Sequence, residues 1–582
     1  MITKKFRGIS YPALRRRLGA GCSEVFSRRK AGWIFLLFVF LGLCLAGCPR
    51  PRQPETTSDT TSAEQTATLH RDELFEIAIA NLNRLHQFDG TDMALQVADR
   101  LDQWIKTQPP LKEWEVDPLI KTLPEGFVNA ELLQDLEKLS LDREDGLFLQ
   151  SAVWLRDIAA WARGEDPSEL ARACRLFDWV VLNIQLDSQD QARQLPSGDL
   201  LVQKPWETLL LGHGSAIDRA WVYVLLCRQE GLDAAVLSVN RAPAGAEPRW
   251  DMWAVGVLIN GKIYVFEPAL GMPIPARDGV QVVDGEGLVI TPATVDELAV
   301  DDSLLRRMDA DPRNPYPVRA SQLEQVMVYV EGSAPYLSRR MEMIQRMLSG
   351  EESLVISAHP SDLAMRFRGL AHVRDVQLWA LPYLVEKQRK EFEGVVAKYL
   401  FNQIAPFMLT SETGIMPLWR GRILHLRGNL VGEEGAAHYY QLARPPERLI
   451  DSGQLAADEQ LMYTIAKLNA SYWLGLIAVD QGNRKSAEDY LINRTAMVLP
   501  DQPWHSGVLY ALGRLNEKLG DYSQAITTYR SEFQLPNRFG NLVRARLIEE
   551  LTGAKPLEIS PEPTTNKADK ASQPDKTSGK QE

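Results

Sequence analysis

The sequence predicts an α+β fold in which a small α/β core is flanked by largely α-helical regions. Apolar residues recur with the 3.6-residue period of amphipathic helices over 70–165 and again over 301–454. Between these segments, the pattern over 166–271 changes to helix, loop, helix, strand and hairpin. Towards the C-terminus, two similar stretches 38 residues apart predict helical repeats over 455–550.

The first 47 residues predict a lipoprotein signal peptide (1–47) rather than part of the fold. Nine Lys and Arg residues precede position 31, and a 15-residue apolar run, Trp33–Gly47, follows them. A membrane-spanning helix needs about 20 apolar residues, so this run is short for a span. It ends in Leu-Ala-Gly-Cys, which resembles the lipobox of bacterial lipoproteins. The resemblance implies that Cys48 is diacylated and becomes the new N-terminus; an ordinary signal peptide or an uncleaved anchor is the alternative.

The charge of the chain argues against nucleic acid as a partner. The full chain has 65 basic and 76 acidic side chains. Residues 1–47 contain nine of the basic and one of the acidic side chains, so the processed chain carries a net charge of −19. Such a chain repels phosphate backbones. Acyl chains would therefore hold the protein at a membrane of the cell envelope, facing the periplasm or the cell surface. Pro49, instead of Asp, after the lipidated cysteine favours the outer membrane.

Two polar segments flank the part of the chain that is expected to fold. Residues 48–69 are rich in Pro, Thr and Ser and bury too little apolar surface to fold, so they predict a disordered tether. Residues 551–582 have the same character and predict a disordered tail.

The remaining cysteines predict no metal site. Besides Cys48, the processed chain has only Cys174 and Cys227, each within an apolar helical pattern. Isolated thiols and a disulfide bridge between the two both stay open. Without a Cys-x-x-Cys pair, a zinc ribbon is excluded, and no cofactor is expected.

The core region begins with a helix that Asp166 or Ser168 can cap. A second helix follows the stretch GHGSA and ends at Gly231. A strand with the sequence AAVLSV comes next. Two apolar runs then flank Asn260-Gly261, which is the strongest short signal for a two-residue hairpin.

The repeats near the C-terminus resemble tetratricopeptide repeats, although their spacing exceeds the usual 34 residues. Small residues at matched places would let the two helices of each hairpin approach closely. The matched residues are Leu474, Gly475, Gly482 and Ala487 in the first unit and Leu512, Gly513, Gly520 and Ala525 in the second.

Three segments of the core resemble, in the same order, the transglutaminase-like domains of bacteria: LFDWVVLNIQL, GHGSAIDRAWVYVLLCRQEGLDAAVL and WAVGVLINGKIYVFEPALG. The resemblance assigns such a domain to 166–300. It implies a papain-like core with a Cys-His-Asp triad. The Cys lies at a helix N-terminus, where the dipole and an imidazolium stabilise its thiolate, and the carboxylate orients the imidazole.

Carried onto this sequence, the triad positions hold the wrong residues for that chemistry. The nucleophile position falls on Ala216, or on Ser215 if the loop is one residue shorter. The His position falls on Asp251 or Met252, and the acid position falls on Glu267. Because the thiol and the imidazole are missing, we expect a catalytically inactive domain. The expected role is binding or scaffolding, with an envelope protein or peptide as partner.

The alternative is a hydrolase or acyl-transfer enzyme with a non-standard site. His213 and Ser215 lie two residues apart at a Gly-rich turn, and Asp251 and Glu267 are candidate acids. The stretch is not a G-x-S-x-G nucleophile elbow, however, so Ser215 is expected to cap the helix instead. Asp218 and its neighbour in the chain, Arg219, are expected to form a local ion pair.

Four tryptophans could line a groove for a peptide or glycan, and for Trp221 and Trp253 the alternative is burial in the core. They are Trp206, Trp221, Trp250 and Trp253.

Overall fold

A computed structural model describes residues 69–558, apart from 110, 189–192, 244, 454 and 499–503. The predicted signal peptide, the acylation site Cys48, nearly all of the tether and the tail from 559 onward lie outside the described residues. The mixture of helices with a central sheet confirms the predicted α+β class. Within the described ranges, none of the helices combines the length and apolar character needed to cross a bilayer.

A mixed six-stranded sheet lies at the centre, in the order β10-β9-β3-β4-β5-β6. All neighbours pair antiparallel except β9 and β10, which are parallel. Two short pairs, β1 with β2 and β7 with β8, lie outside it. The strands are β1 Gln185–Leu186, β2 His213–Gly214, β3 Asp233–Asn240, β4 Trp250–Ile259, β5 Lys262–Glu267, β6 Met272–Pro273, β7 Pro275–Val283, β8 Gly287–Pro292, β9 Val326–Val330 and β10 Val373–Leu378.

Helices surround this sheet along the whole described chain. They are α1 Glu73–Asn83, α2 Asp92–Ile105, α3 Ala130–Glu137, α4 Arg143–Ala162, α5 Glu169–Asn183, α6 Pro205–Leu211, α7 Ala216–Gln229, α8 Val295–Val300, α9 Asp302–Arg306, α10 Ala334–Leu337, α11 Arg339–Met347, α12 Pro360–Phe367, α13 Leu381–Glu391, α14 Glu393–Ile404, α15 Pro417–Leu426, α16 Ala436–Leu442, α17 Glu447–Ile450, α18 Ala457–Asp480, α19 Arg484–Glu488, α20 Trp504–Lys518, α21 Tyr522–Arg530 and α22 Asn537–Thr552. A π-helical stretch, Asp489–Ala496, continues α19.

Local features of the core follow the sequence prediction. Ser168 is the N-cap of α5, and Gly231 follows α7 with φ of +67°. Asn260 and Gly261 both have positive φ and join β4 to β5 as a two-residue hairpin. Ser168 acts through its side chain, which accepts from the Ala171 N–H, and the others act through the backbone geometry of their own turns. All are local, so the surrounding fold is not needed to predict them.

The region 301–454 contains two strands among its helices, and the helical pattern of the sequence did not predict them. β9 pairs with β3, and β10 pairs with β9, so both strands of this region extend the sheet of the core. Val326, Val328 and Val330 are fully buried on the same face. The domain core is therefore built from two stretches of chain that are distant in sequence.

The two faces of the sheet carry different partners. Phe266 of β5 packs against Phe177 of α5 and Tyr223 of α7, with ring centroids 5.3 Å apart in both pairs. Successive strand residues point to opposite faces. Ile263 and Val265 accordingly lie in the large hydrophobic cluster on the other face.

The two C-terminal units have matched geometry. Gly482 and Gly520 occupy the turns between their helices with φ of +68° and +71°. Ala487 and Ala525 are fully buried. A side chain at Gly475 would collide with Leu491, and one at Gly513 with Tyr529, so both glycines permit close approach of paired helices.

These C-terminal helices pack on the α/β core instead of standing apart from it. Asn537 Nδ2 donates to the carbonyl oxygen of Leu186 at 3.1 Å. Arg514 of α20 forms an ion pair with Asp178 of α5 at 2.6 Å. Gly540 of α22 lies so close to the Leu270 carbonyl that no side chain would fit there.

Candidate functional site

The N-terminus of α7 is the place where the resemblance puts a nucleophile. Ser215 is the N-cap of this helix, and Ala216 is its first residue. The Ser215 Oγ donates to Asp218 Oδ2 at 2.9 Å and accepts from the Asp218 backbone N–H at 3.3 Å. The Ser215 N–H also donates to Asp218 Oδ2, at 2.7 Å. The hydroxyl is therefore held in a reciprocal capping box, as expected for a structural serine.

His213 does not activate Ser215. Its Nδ1 lies 2.7 Å from Asp187 Oδ1, and its ring packs at 89° against Trp504 of α20. Within the described part of the chain, no hydrogen bond joins the His213 ring to Ser215. Burial alone would raise the pKa of Asp187. His213 and Arg193 outweigh this effect and lower the pKa below its usual value.

A buried chain of ion pairs links Asp187, the partner of His213, to Asp218, the partner of Ser215. Arg193 NH2 lies 3.0 Å from Asp187 Oδ2 and 3.0 Å from Asp218 Oδ2. Asp218 is fully buried, and burial raises its pKa although Arg193 opposes the effect. The guanidinium also lies over the ring of Tyr399, 5.7 Å from its centroid. Arg193 thus takes the place of the expected Arg219 as the partner of Asp218, and that local ion pair does not form.

Arg219 instead donates to main-chain carbonyl oxygens at the end of α5. Its Nε donates to the carbonyl of Ile184 at 2.6 Å and its NH2 to that of Val181 at 3.1 Å. Both acceptors belong to the C-terminal end of α5, where free carbonyls and the helix dipole favour a cation. No carboxylate among the described residues bonds to Arg219, and burial lowers its pKa to about 10.

The position expected for the His holds no base that faces the α7 N-terminus. Asp251 has a side chain 39% exposed and pairs with Arg249 at 3.1 Å. Met252 lies opposite Ser238 in the β3–β4 register and has no titratable group. Neither residue contributes a proton acceptor to the site.

Glu267 is buried but faces a different set of residues. Its Oε2 accepts from Tyr316 Oη at 3.3 Å, and that hydroxyl accepts from Trp253 Nε1 at 2.7 Å. Trp253 and Tyr316 belong to the hydrophobic cluster on the face of the sheet opposite α7. Burial is the largest influence on the pKa of Glu267 and raises it to about 7. The carboxyl group that the resemblance assigns to the triad is therefore bonded to a phenol and not to an imidazole.

The residues assigned to the triad are thus not assembled. Ser215 is bonded to Asp218, Asp251 is at the surface and Glu267 is bonded to Tyr316. Trp504, from the C-terminal helices, covers His213, which is itself 8% exposed.

The cysteines lie elsewhere. Cys174 and Cys227 are free thiols, and burial raises the pKa of each to about 12. A thiol with such a pKa is protonated near neutral pH and inert as a nucleophile. Among the described residues, no group of three or more His, Cys, Asp or Glu side chains is arranged to hold a metal ion.

A groove of about 820 Å³ lies beside α7, and we call it the Trp206–Trp221 groove after two residues that line it. Its walls come from α3, α4, α6, α7, α10, α11 and α13 and from the loops around them. Trp206 Nε1 and Trp221 Nε1 are buried and have no hydrogen-bond partner among the described residues. Six aromatic residues line it: Phe127, Phe148, Trp206, Trp221, Tyr336 and Tyr383.

The other two tryptophans singled out in the sequence lie elsewhere. Trp253 donates to Tyr316 in the core, and Trp250 lies beneath the Arg374 guanidinium at 5.6 Å. The sequence therefore identified two of the groove residues but not the helices that complete its walls.

Sequence reasoning missed Asp187, Arg193 and Tyr316. Asp187 directly follows β1, and polar residues at strand ends are a usual source of site residues, so its position was a usable sign. Nothing in the sequence around Tyr316 links it to Glu267, 49 residues earlier.

No protein-family model, curated protein or solved structure matches this chain. The assignment of 166–300 to a transglutaminase-like domain therefore rests on the three segments quoted above and stays a prediction.

Proposed function

We propose that this protein is an exported lipoprotein of the bacterial cell envelope that binds a protein or peptide through a catalytically inactive transglutaminase-like domain. The observation that carries the proposal is the capping box at Ser215. The only hydroxyl at the nucleophile position is bonded to a carboxylate that is itself paired with Arg193. A serine needs a neighbouring base to become a nucleophile, and Asp218 is committed to structure.

The Trp206–Trp221 groove supports a binding role. Ligand sites are concave, largely apolar and lined by a few polar groups that fix orientation. The groove has aromatic walls and also polar lining residues, such as Asn129 and Gln134, that are exposed. Tryptophan also dominates the energetics of protein interfaces because one ring buries a large area. We assign the binding site to this groove and not to the N-terminus of α7.

Photo-crosslinking at the groove tests the binding role. Gln134 lines the groove and is exposed, whereas Asp284 is exposed on the β7–β8 turn. With p-benzoylphenylalanine at position 134, we expect a discrete crosslinked product in living cells. The same group at position 284 serves as the control, and Trp221→Ala should abolish the product at 134 while Trp250→Ala leaves it. Equal products from both positions would refute the assignment.

The anchor is tested separately from the groove. The lipobox resemblance predicts that labelled palmitate enters the chain at Cys48. Cys48→Ala should remove the label and release the protein from the membrane fraction, whereas Cys227→Ala should change neither. A membrane-bound, unlabelled wild-type chain would favour the uncleaved anchor.

The hydrolase remains a second candidate because of one contact. The His213–Asp187 pair, at 2.7 Å, has the geometry that orients an imidazole as a general base. A fluorophosphonate probe distinguishes the two functions. Labelling that is lost in Ser215→Ala and in His213→Gln would establish the hydrolase, and absence of labelling favours the binding protein.

A further inference from the structure

We propose that a second binding site, formed by Arg444, Tyr490 and Arg494, takes the side-chain carboxylate of an acidic peptide segment. We call it the Arg444–Arg494 site. None of its three residues lines the Trp206–Trp221 groove, so the inference goes beyond the proposed function and does not depend on what the groove binds. It rests on a guanidinium group without an acidic partner, on a second guanidinium group beside it and on the helical turn that carries the second.

Arg444 is a half-buried cation that lies between α16 and α17. Its Nε donates to Ser471 Oγ at 3.1 Å, and its NH1 donates to Gln441 Oε1 at 3.0 Å. Both acceptors are neutral, so they fix the direction of the guanidinium group without balancing its charge. Its NH2 has no acceptor among the described residues and, unlike the indole nitrogens of the groove, is open to solvent. This end of the side chain is therefore available to a ligand.

The Arg494 guanidinium lies near that of Arg444. The Cζ atoms of both lie 5.4 Å from the centroid of the Tyr490 ring. Gln441 fixes this ring too, because its Nε2 donates to Tyr490 Oη at 2.5 Å. Burial, and after it the charge of Arg494, lowers the pKa of Arg444. Two like charges at one ring repel each other, and an anion that contacts both relieves the repulsion.

The acidic groups of the cluster are already paired. Asp489 Oδ2 bonds Arg494 Nε at 2.7 Å, and Glu447 bonds Lys467 at 3.1 Å. In the described part of the chain, three cations thus meet two carboxylates here, and Arg444 is left over. A ligand with one negative charge balances the site, whereas a phosphate monoester brings a charge of about −1.5 to −2. A carboxylate also matches the planar guanidinium groups.

The π-helical stretch Asp489–Ala496 brings the groups on its side of the site together. Hydrogen bonds in a π-helix join residues five apart, so such residues become neighbours. Asp489 and Arg494 are five apart, whereas an α-helix would place them about 140° apart around its axis. Thr495 and Tyr490 are also five apart, and Thr495 Oγ1 donates to the Tyr490 carbonyl at 2.9 Å. Turns of this kind are rare and are frequently found at functional sites.

A ligand can reach Arg494 as well as Arg444. The side chain of Arg494 is 46% exposed, and that of Asp489 is 42% exposed. Only the Nε of Arg494 is hydrogen-bonded among the described residues, so its two terminal nitrogens are free to donate. An ion pair this exposed contributes at most about 1 kcal/mol, so the pair with Asp489 does not prevent Arg494 from binding a second carboxylate.

Binding of a labelled peptide to the full chain tests the proposal. The probe is an octapeptide of alternating Gly and Glu, acetylated, amidated and carrying an uncharged dye; the comparator has Gln in place of Glu. In fluorescence anisotropy at about 0.15 M salt, we expect the Glu peptide to bind and the Gln peptide to fail. Arg444→Gln and Arg494→Gln each remove a charged donor and should weaken binding about tenfold.

Arg448→Gln is the matched control. Arg448 is an exposed arginine of α17, four residues from Arg444, and it forms no ion pair with a described residue. Its replacement removes the same charge from the same part of the surface, so the affinity should stay within about twofold of the wild type. Equal losses in Arg444→Gln and Arg448→Gln would show that net charge alone attracts the peptide, which overturns the site.

A second readout uses the wild-type chain and therefore does not depend on how a variant folds. Phenylglyoxal modifies accessible arginines, and mass spectrometry locates the adducts. The bound Glu peptide should slow modification of Arg444 and Arg494 and leave that of Arg448 unchanged. Protection of none of the three, or of all three equally, contradicts a defined site.

The outcomes separate this inference from the proposed function. Equal binding of the Gln peptide overturns the inference, and so does inorganic phosphate that displaces the Glu peptide at a lower concentration than acetate does. If the Glu peptide fails while position 134 still gives its crosslink, the proposed function stands and only the Arg444–Arg494 site is wrong. If the Glu peptide binds through Arg444 and no crosslink forms, this site stands and the groove does not.

Discussion

The N-terminus of α7 and the Trp206–Trp221 groove lie along the same helix and differ in how their polar groups are bonded. At the N-terminus, Ser215, Asp218 and Arg193 bond one another, so a ligand would have to break existing interactions. In the groove, two indole N–H groups have no acceptor among the described residues, but both are closed off from solvent. The room for a ligand is instead the open space of about 820 Å³ between the aromatic walls. The contrast supports the proposals that the capped N-terminus of α7 is structural and that a ligand binds in the groove instead.

The largest expected effect comes from breaking the charge chain at the helix N-terminus. Asp218→Ala leaves Arg193 with one carboxylate fewer in a buried position, so we expect a loss of about 3–5 kcal/mol in the free energy of unfolding. Asp251→Ala, at the more exposed pair with Arg249, should cost at most about 1 kcal/mol. Urea unfolding of both variants measures the difference. Equal losses would show that the network at Ser215 is not structural.

Glu267 gives the next largest effect, which depends on pH. Its pKa of about 7 in the folded state exceeds the ordinary value of 4.5. Between these values the folded chain holds a proton that the unfolded chain has lost, so this group stabilises less as pH rises. Relative to Glu267→Gln, the wild type should lose up to about 3 kcal/mol from pH 4.5 to above 7.

Unfolding of both proteins in urea at pH 5, 6 and 7.5 checks this trend. A constant difference between wild type and variant would mean that Glu267 is ionised throughout. The result would then favour a cation near the carboxylate, as a working triad requires, and would weaken the contrast between the two regions.

A smaller effect is expected from Ser215 itself. Ser215→Ala removes an N-cap and should cost about 1 kcal/mol. Ser168→Ala, at the N-cap of α5, is the matched control and should cost a similar amount. Fluorophosphonate labelling of the wild type and of both variants should be equally absent. A label confined to chains with Ser215 would reverse the conclusion that this residue is structural.

The smallest change is expected in the groove. Trp206→Phe loses no hydrogen bond, so the free energy of unfolding should stay within about 0.5 kcal/mol. Trp504→Phe provides the contrast, because its Nε1 donates to Asn469 at 2.8 Å in the folded chain. Leaving that buried acceptor unpaired should cost about 1–3 kcal/mol. Chemical unfolding of the two variants compares a buried donor without a hydrogen bond to a bonded one.

Sequence reasoning succeeded where a few adjacent residues determine the geometry. The Asn260-Gly261 hairpin and the N-cap Ser168 need only the conformation of their own turn. The matched small residues of the C-terminal units also follow from helix packing within one hairpin. Such features are independent of what the rest of the chain does.

It failed where partners come from distant parts of the chain. Arg193 meets Asp218 across 25 residues, and Tyr316 meets Glu267 across 49. Neither pairing leaves a periodic or compositional trace. The strand β9 was missed although VMVYV has the residues that strands favour, because the helical pattern around it dominated the interpretation of 301–454.

Gly540 sets a practical limit on how this protein can be divided. Its α-carbon rests against the Leu270 carbonyl, with no space for even a methyl group. A fragment that stops before α22 would leave that carbonyl and its apolar neighbours open to water. The last helices thus cover part of the α/β core, and fragments cut between the core and these helices should be insoluble when expressed alone.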